Sequence, residues 1–136
     1  MRRARRRRGS QPTREKADTL AAEFGGPFNV LPWEERHDAL EDVAMVVNVT
    51  SQGMVGETAL DLRLDRLPAG ALAADIIYTP LETPLLAAAR ARGNRTINGL
   101  GMLIHQGPAA WKLWFHVEPT VTAELRERME HSIAGT

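Results

Sequence analysis

The sequence predicts an α/β fold: a partial parallel sheet with flanking helices and further helices at the C-terminus. Three observations predict it. Val43-Ala44-Met45-Val46-Val47-Asn48-Val49 is almost wholly apolar and largely β-branched. A strand with one wet face would alternate, so this run reads as a parallel strand buried on both faces. A second apolar run, Leu72 to Tyr78, ends in Asp75-Ile76-Ile77-Tyr78. Between the strand candidates lie short segments of helical periodicity, giving the αβαβ order of a parallel layer. Ligands of open parallel sheets sit outside the carboxyl ends of the strands. Thr50-Ser51-Gln52-Gly53 and Tyr78 fall there. The hydroxyls of Thr50 and Ser51 either face a ligand or satisfy the local backbone of a turn. Tyr78 is either a ligand contact or a core plug with its hydroxyl at the rim.

Taken in order, residues 1–12 open the chain with six Arg in the first eight positions, then Gly, Ser, Gln and Pro. Such a stretch has no apolar surface to bury and is expected to be a disordered tail, leaving residues 13–136 as the folded domain. Thr13 caps a helix over Arg14–Phe24, with Ala17, Leu20, Ala21 and Phe24 on one stripe and Gly25-Gly26 as its end. Phe28–Leu31 is a short strand, and Pro32 opens a brief acidic helix through Glu34, Glu35 and Leu40. After the central strand, a linker from Val55 to Leu67 alternates Leu60, Leu62, Leu64 and Leu67 with charges that stay solvated. Pro68-Ala69-Gly70 is a turn. Beyond the second buried run, Thr83 caps and Pro84 opens a helix to Arg92, closed by Gly93. Arg95-Thr96-Ile97 is a third strand, and Asn98–Gln106 turns into a helix. That helix is expected to break at Gly107-Pro108 and resume over Ala109–Phe115. Trp111, Trp114 and Phe115 have the spacing of a packed face and are expected in the core. A last helix runs from Pro119-Thr120 through Met129.

Composition narrows the function classes. A chain of 136 residues, 43% hydrophobic and 25% charged, suits one modest globular domain. Cysteine is absent, which excludes disulfides and thiolate metal sites. The four His (37, 105, 116, 131) lack ligand spacing, so no metal is expected. No apolar run reaches the length of a membrane span, and no apolar core follows the first arginines as in a signal peptide. A cytoplasmic location is the expectation. Net charge is zero but uneven: residues 1–16 hold eight basic side chains and one acidic, the rest nine and sixteen. A basic arm suits nucleic acid by charge, but it carries no aromatic residue for stacking and no fold to aim it, so such binding is not expected to be the function.

Gly99-x-Gly101, after a strand and before a helix, is part of a dinucleotide fingerprint. Its third position should be Gly or Ala and is Ile104, so a phosphate cradle is the weaker reading. A glycine turn that lets a cofactor ring approach the backbone is the better one. Together, Val46-Val47-Asn48-Val49-Thr50-Ser51-Gln52-Gly53-Met54, Asp75-Ile76-Ile77-Tyr78, Thr83-Pro84 and Asn98-Gly99-Leu100-Gly101-Met102-Leu103-x-x-Gln106 resemble the C-terminal half of shikimate dehydrogenase, in order and with fitting spacing. The resemblance runs from about Thr13 to the end. It implies a Rossmann-like NADP-binding domain of an oxidoreductase that reduces 3-dehydroshikimate to shikimate in aromatic amino-acid biosynthesis. It further implies that Thr13, Lys16, Thr50, Ser51, Ile76, Gly99 and Met102 bind cofactor: Thr50 and Ser51 lie against it, Ile76 and Gly99 meet its nicotinamide end through backbone, and Met102 packs beside the ring. Tyr78 and Gln106 would reach the substrate's polar groups. By itself Gln106 is equally a helix-surface amide.

The sequence also departs from that family. The resemblance implies a preceding substrate domain with a catalytic Lys and Asp, and a glycine-rich pyrophosphate turn; here the arginine tail stands in their place. Where the family has Asn-Arg-Thr for the 2′-phosphate, Gln11-Pro12-Thr13 aligns, leaving Thr13, with Lys16 as a residual phosphate contact. The strand before that motif should be apolar, yet arginines occupy it. No catalytic residue is therefore assigned, and a truncated or frame-disrupted form, weakly active or inactive, is expected. A sheet that has lost its first strands would expose Val46, Val47, Val49, Ile76 and Ile77 and invite self-association. The alternatives are a non-catalytic cofactor- or substrate-binding remnant and a basic-tailed nucleic-acid binder.

Overall fold

The computed structural model describes residues 7–135. The chain divides into two compact units, one formed by Met1–Val43 with Leu62–Pro68, the other by Ala44–Asp61 with Ala69–Thr136. In the first unit, strand β1 (Arg7–Ser10) leads into helix α1 (Arg14–Phe24) and strand β2 (Phe28–Leu31). β1 and β2 pair in parallel, Arg7 opposite Phe28 and Ser10 opposite Leu31. Two short 3-10 turns follow, Trp33–Arg36 and Asp38–Leu40, where an acidic helix was expected. The linker leucines behave as their alternation predicts: Leu64 and Leu67 are buried while Asp61, Arg63, Asp65 and Arg66 stay exposed.

β1 corrects the expectation of a disordered tail over residues 1–12, at least for Arg7–Ser10; the tail's first six residues lie outside the described residues. Intrinsic preference gives no reason for a strand here, and the tertiary setting overrides it. The Arg7 amide donates to the Pro27 carbonyl at 3.0 Å, and the Ser10 hydroxyl to that of Pro32 at 3.2 Å. The Arg8 guanidinium donates to the carbonyls of Ala39 (3.0 Å) and Glu41 (2.7 Å), anchoring the strand to the 3-10 segment. Gly9 lets the Phe28 ring lie against the strand, since a Cβ there would stand 2.5 Å from the ring.

In the second unit, strands β3 (Met45–Asn48), β4 (Leu72–Asp75) and β5 (Arg95–Ile97) form a parallel sheet in that order. Met45 pairs with Leu72, and Leu72 with Arg95, so all three carboxyl ends open on the same edge. Helix α2 (Pro84–Ala91) packs on β4 and β5 through Leu85, Leu86 and Ala89. Its start follows the sequence signal: Thr83 Oγ1 accepts from the Leu86 amide at 3.3 Å, with Pro84 at the first helical position. Ala71, Ala73, Ile77, Leu100 and Ile104 complete the buried set.

Three further expectations change. β3 is not buried on both faces, because Met45 is 52% and Val47 41% exposed. As an outer strand of its sheet it carries its apolar run to the surface on one side. Helix α3 (Leu100–Phe115) runs unbroken through Gly107 and Pro108, so proline costs it one backbone donor without ending it. Trp111, Trp114 and Phe115 share a helix face, with Phe115 tilted against Trp111 (centroids 5.1 Å apart) and edge-on to Trp114 (6.5 Å), but they are exposed rather than core. Helix α4 (Ala123–Ala134) closes the described chain, starting four residues after the expected point, with Thr122 as its cap.

Candidate functional site

The carboxyl ends of β3, β4 and β5 lie side by side, and the loops that leave them are tied together by main-chain bonds. The Ile76 amide donates to the Asn48 carbonyl at 3.1 Å, and the Gly99 amide to the Ile77 carbonyl at 2.8 Å. A Cβ on Gly99 would fall 1.8 Å from the Ile76 carbonyl oxygen and 2.3 Å from its carbon. Only glycine permits this approach, although the φ of −75° at Gly99 suits any residue. Gly53, at φ +101°, turns the loop after β3 and is packed against Ile77, Thr83 and Pro84.

Beside these loops lies an open, apolar crevice of about 410 Å³, whose walls include Thr50, Ser51, Met54, Ile76, Tyr78 and Met102. Five of the residues singled out from the sequence thus line one space. Gly99 is bonded to its floor at Ile77. Tyr78 is 38% exposed, so it stands at the rim rather than plugging the core. Gln106 follows Met102 by one turn of α3, on the same side of the helix, and is exposed. Thr13 and Lys16 belong to the other unit. Thr13 precedes α1 with extended backbone and makes no side-chain cap, its carbonyl accepting from Lys16 and Ala17, and both Thr13 and Lys16 are exposed.

The polar groups behind the crevice form a closed set that sequence reasoning passed over. Asp75 ends β4, is 2% exposed, and accepts hydrogen bonds with both carboxyl oxygens. Oδ1 takes the Ile77 amide (3.1 Å) and Asn48 Nδ2 (3.2 Å), and Oδ2 takes the Thr83 hydroxyl (2.8 Å) and Asn48 Nδ2 (3.3 Å). Asn48 Nδ2 also donates to the Gln52 carbonyl at 3.0 Å. Asn48 Oδ1 accepts from the Thr50 amide (3.0 Å) and hydroxyl (2.7 Å), and Thr50 Oγ1 in turn accepts from the Gln52 amide (3.1 Å). The Thr50 hydroxyl is therefore spent on its own loop, the local role its residue type allowed. Ser51 lines the crevice wall. The available signal was Asn48 and Asp75 themselves, single polar residues set within otherwise apolar runs.

A second cavity of about 410 Å³ is lined by Arg90, Thr96, Asn98 and Arg126, among others. Its cations are already engaged, Arg90 with Glu82 at 3.2 Å and Arg126 with Glu130 at 2.9 Å. Among the described residues no three His, Cys, Asp or Glu gather as metal ligands, and no helix is long and apolar enough to cross a membrane.

A parallel α/β sheet with an apolar crevice over its carboxyl ends, lined by Ile76 and Ile77 with Gly99 pressed against their main chain, is a Rossmann-like arrangement. No protein-family model matches the chain. It is 50% identical over 118 residues to shikimate dehydrogenase (NADP(+)) of Nitrobacter hamburgensis, covering 87% of this chain and 41% of that one. It is 49% identical over 114 residues to the shikimate dehydrogenase (NADP(+)) of Paramagnetospirillum magneticum, covering 84% and 41%. Quinate dehydrogenase from Corynebacterium glutamicum, solved in complex with NAD, superposes with a TM-score of 0.79 at 26% identity, over 96% of this chain and 46% of that one. The resemblance to shikimate dehydrogenase thus extends over most of this chain. The chain spans about two fifths of the length of the curated relatives it matches.

Proposed function

We propose that residues 13–136, together with β1, are the C-terminal portion of a shikimate dehydrogenase NADP-binding domain, and that the crevice receives the nicotinamide end of NADP. The observation that carries this is the approach of Gly99 to the Ile76 carbonyl beside apolar walls of Ile76 and Met102. A flat ring fits against the crevice floor at Ile76 and Ile77, and a side chain at position 99 would push that main chain out of place. When bound, the nicotinamide supplies or accepts the hydride exchanged with the carbonyl carbon of the substrate. The chain's own part is to seat and orient. Ile76 and Gly99 present main chain to the ring, Met102 packs beside it, and Thr50 and Ser51 border the cofactor. Tyr78 and Gln106 hold the substrate's polar groups at the rim. Thr13 and Lys16 are assigned to the phosphate end. Shikimate and 3-dehydroshikimate are the substrates in this reading, and the cytoplasm is its location.

Taken alone, the chain has no assigned proton donor for the substrate oxygen. Lost general acid–base assistance costs on the order of a hundred- to ten-thousand-fold in rate. In this reading the chain taken alone is weakly active or inactive. Its outer strand exposes Met45 and Val47, with Val49 beyond, and this supports self-association. The test is NADP-linked oxidation of shikimate by the purified chain. No turnover is expected from the chain alone. Adding the remaining three fifths of the Nitrobacter relative as a separate polypeptide should restore turnover, and Gln106→Ala should abolish that rescue. Turnover by the chain alone, lost on Tyr78→Phe or Gln106→Ala, would overturn the inactive-form reading; no rescue, together with no NADP binding, would overturn the assignment itself.

A further inference from the structure

We propose that Asp75 is the positioning residue of the crevice: its buried carboxyl group holds the loops after β3 and β4 in the spacing that receives a ring. The proposal rests on the reading of the crevice as a cofactor site, but the hold can be measured without any ligand.

Four donor contacts converge on this one side chain from three elements. The Ile77 amide fixes the loop that carries Ile76 and Tyr78. Asn48 links it to the loop that carries Thr50, through the pair of bonds that Asn48 Oδ1 accepts. The Thr83 hydroxyl joins it to the start of α2. Asn48 and Thr83 are 3% and 0% exposed, so water cannot replace a lost partner at low cost. Each contact requires an acceptor at position 75. An amide there would turn a donor toward the Asn48 amide, the Thr83 hydroxyl or the Ile77 amide, and Asn48 cannot simply rotate because its oxygen already serves Thr50. None of the atoms of Asp75 lines the crevice. It acts through Thr50 and Ile76–Tyr78, which do.

Two measurements on Asp75→Asn test this. In the ligand-free chain, hydrogen exchange at the Ile77 and Thr50 amides should accelerate at least about tenfold, while the β4–β5 ladder and the interior amides of α2 keep their rates. NADPH affinity should fall about tenfold, the factor that corresponds to about 1.4 kcal/mol of lost positioning. The core variant Leu85→Ala, which lies outside the crevice, should lose stability while keeping NADPH affinity. Uniform acceleration of all amides, or unchanged rates at Ile77 and Thr50, would overturn the positioning role. If Asp75→Asn does not fold, Asn48→Ala decides: it should free Thr50 and Gln52 while Ile77 stays protected, and loss of protection throughout would count against the proposal. A wild-type chain that binds no NADPH would sink the cofactor reading, whereas the exchange rates would still decide what Asp75 does.

Discussion

Replacing Gly99 by alanine is the sharpest perturbation the crevice offers. The new methyl would stand 1.8 Å from the Ile76 carbonyl oxygen, 2.3 Å from the Ile76 carbonyl carbon and 3.0 Å from that of Ile77. All three atoms are main chain, so no rotamer change relieves the clash. Ordinary carbon contacts lie at about 3.5 Å, so the carbonyl and the methyl must part by about 1.7 Å. That movement breaks the 2.8 Å bond from the Gly99 amide to Ile77. Overpacking costs about 1–3 kcal/mol and the lost bond about 1 kcal/mol, giving a destabilisation of about 2–4 kcal/mol. Because Ile76–Tyr78 move with the carbonyl, NADPH affinity should fall at least about tenfold, about 1.4 kcal/mol of binding. Gly101→Ala is the matched control. Its nearest atom is Arg126 Nη1 at 3.7 Å, an ordinary contact, and alanine is a better helix residue than glycine by up to about 1 kcal/mol. Urea denaturation with NADPH titration of both variants measures the difference. If Gly99→Ala unfolds at the wild-type midpoint and binds as well as Gly101→Ala, the close approach does not shape the site.

Arg8→Ala removes two guanidinium bonds to the 3-10 segment and should cost up to about 1 kcal/mol at this exposed position, with faster amide exchange in β1; unchanged exchange would mean that the arginine does not anchor the strand. Lys112 Nζ donates to Glu118 on an exposed pair, which raises the lysine pKa above its ordinary value. A raised folded-state pKa contributes stability that is present below the ordinary value and lost as pH rises through the folded one, so NMR titration of Lys112 should move downward in Glu118→Gln, and an unmoved titration would refute the pairing. Val47→Lys should suppress concentration-dependent association in sedimentation velocity, because a charge on an outer strand blocks edge pairing; a wild-type chain that is monomeric at high concentration would contradict self-association.

The order of β3, β4, β5 and the helices α1 and α2 was legible because these elements carried local signals: apolar runs for the strands, the Thr83-Pro84 start, and the glycines after α1 and α2. β1 was not legible. Its arginines hold no strand preference, and its conformation comes from the β2 ladder and from carbonyls some thirty residues away. The aromatics of α3 show the limit of periodicity: spacing placed Trp111, Trp114 and Phe115 on one face but could not say whether anything covers it, and Trp114 is 68% exposed. Pro108 was over-read for the same local reason, since removing one donor does not oblige a helix to end. Within the site, Thr50, Ser51 and Tyr78 followed from their place at strand ends, whereas Ile76 and Met102 came from the family resemblance. The Asn48–Asp75–Thr83 set did not, because side chains far apart in sequence meet only once β3 and β4 are in register.

The central claim is that the loops at the strand ends form a nicotinamide crevice. Titrating isotope-labelled protein with NADPH and following amide shifts tests it most directly. The account predicts saturable shifts concentrated at Thr50, Ser51, Ile76, Gly99 and Met102, with α4 unmoved, and their loss in Gly99→Ala. Saturable shifts centred on the cavity of Arg90 and Arg126, or no shifts at millimolar NADPH, would contradict it.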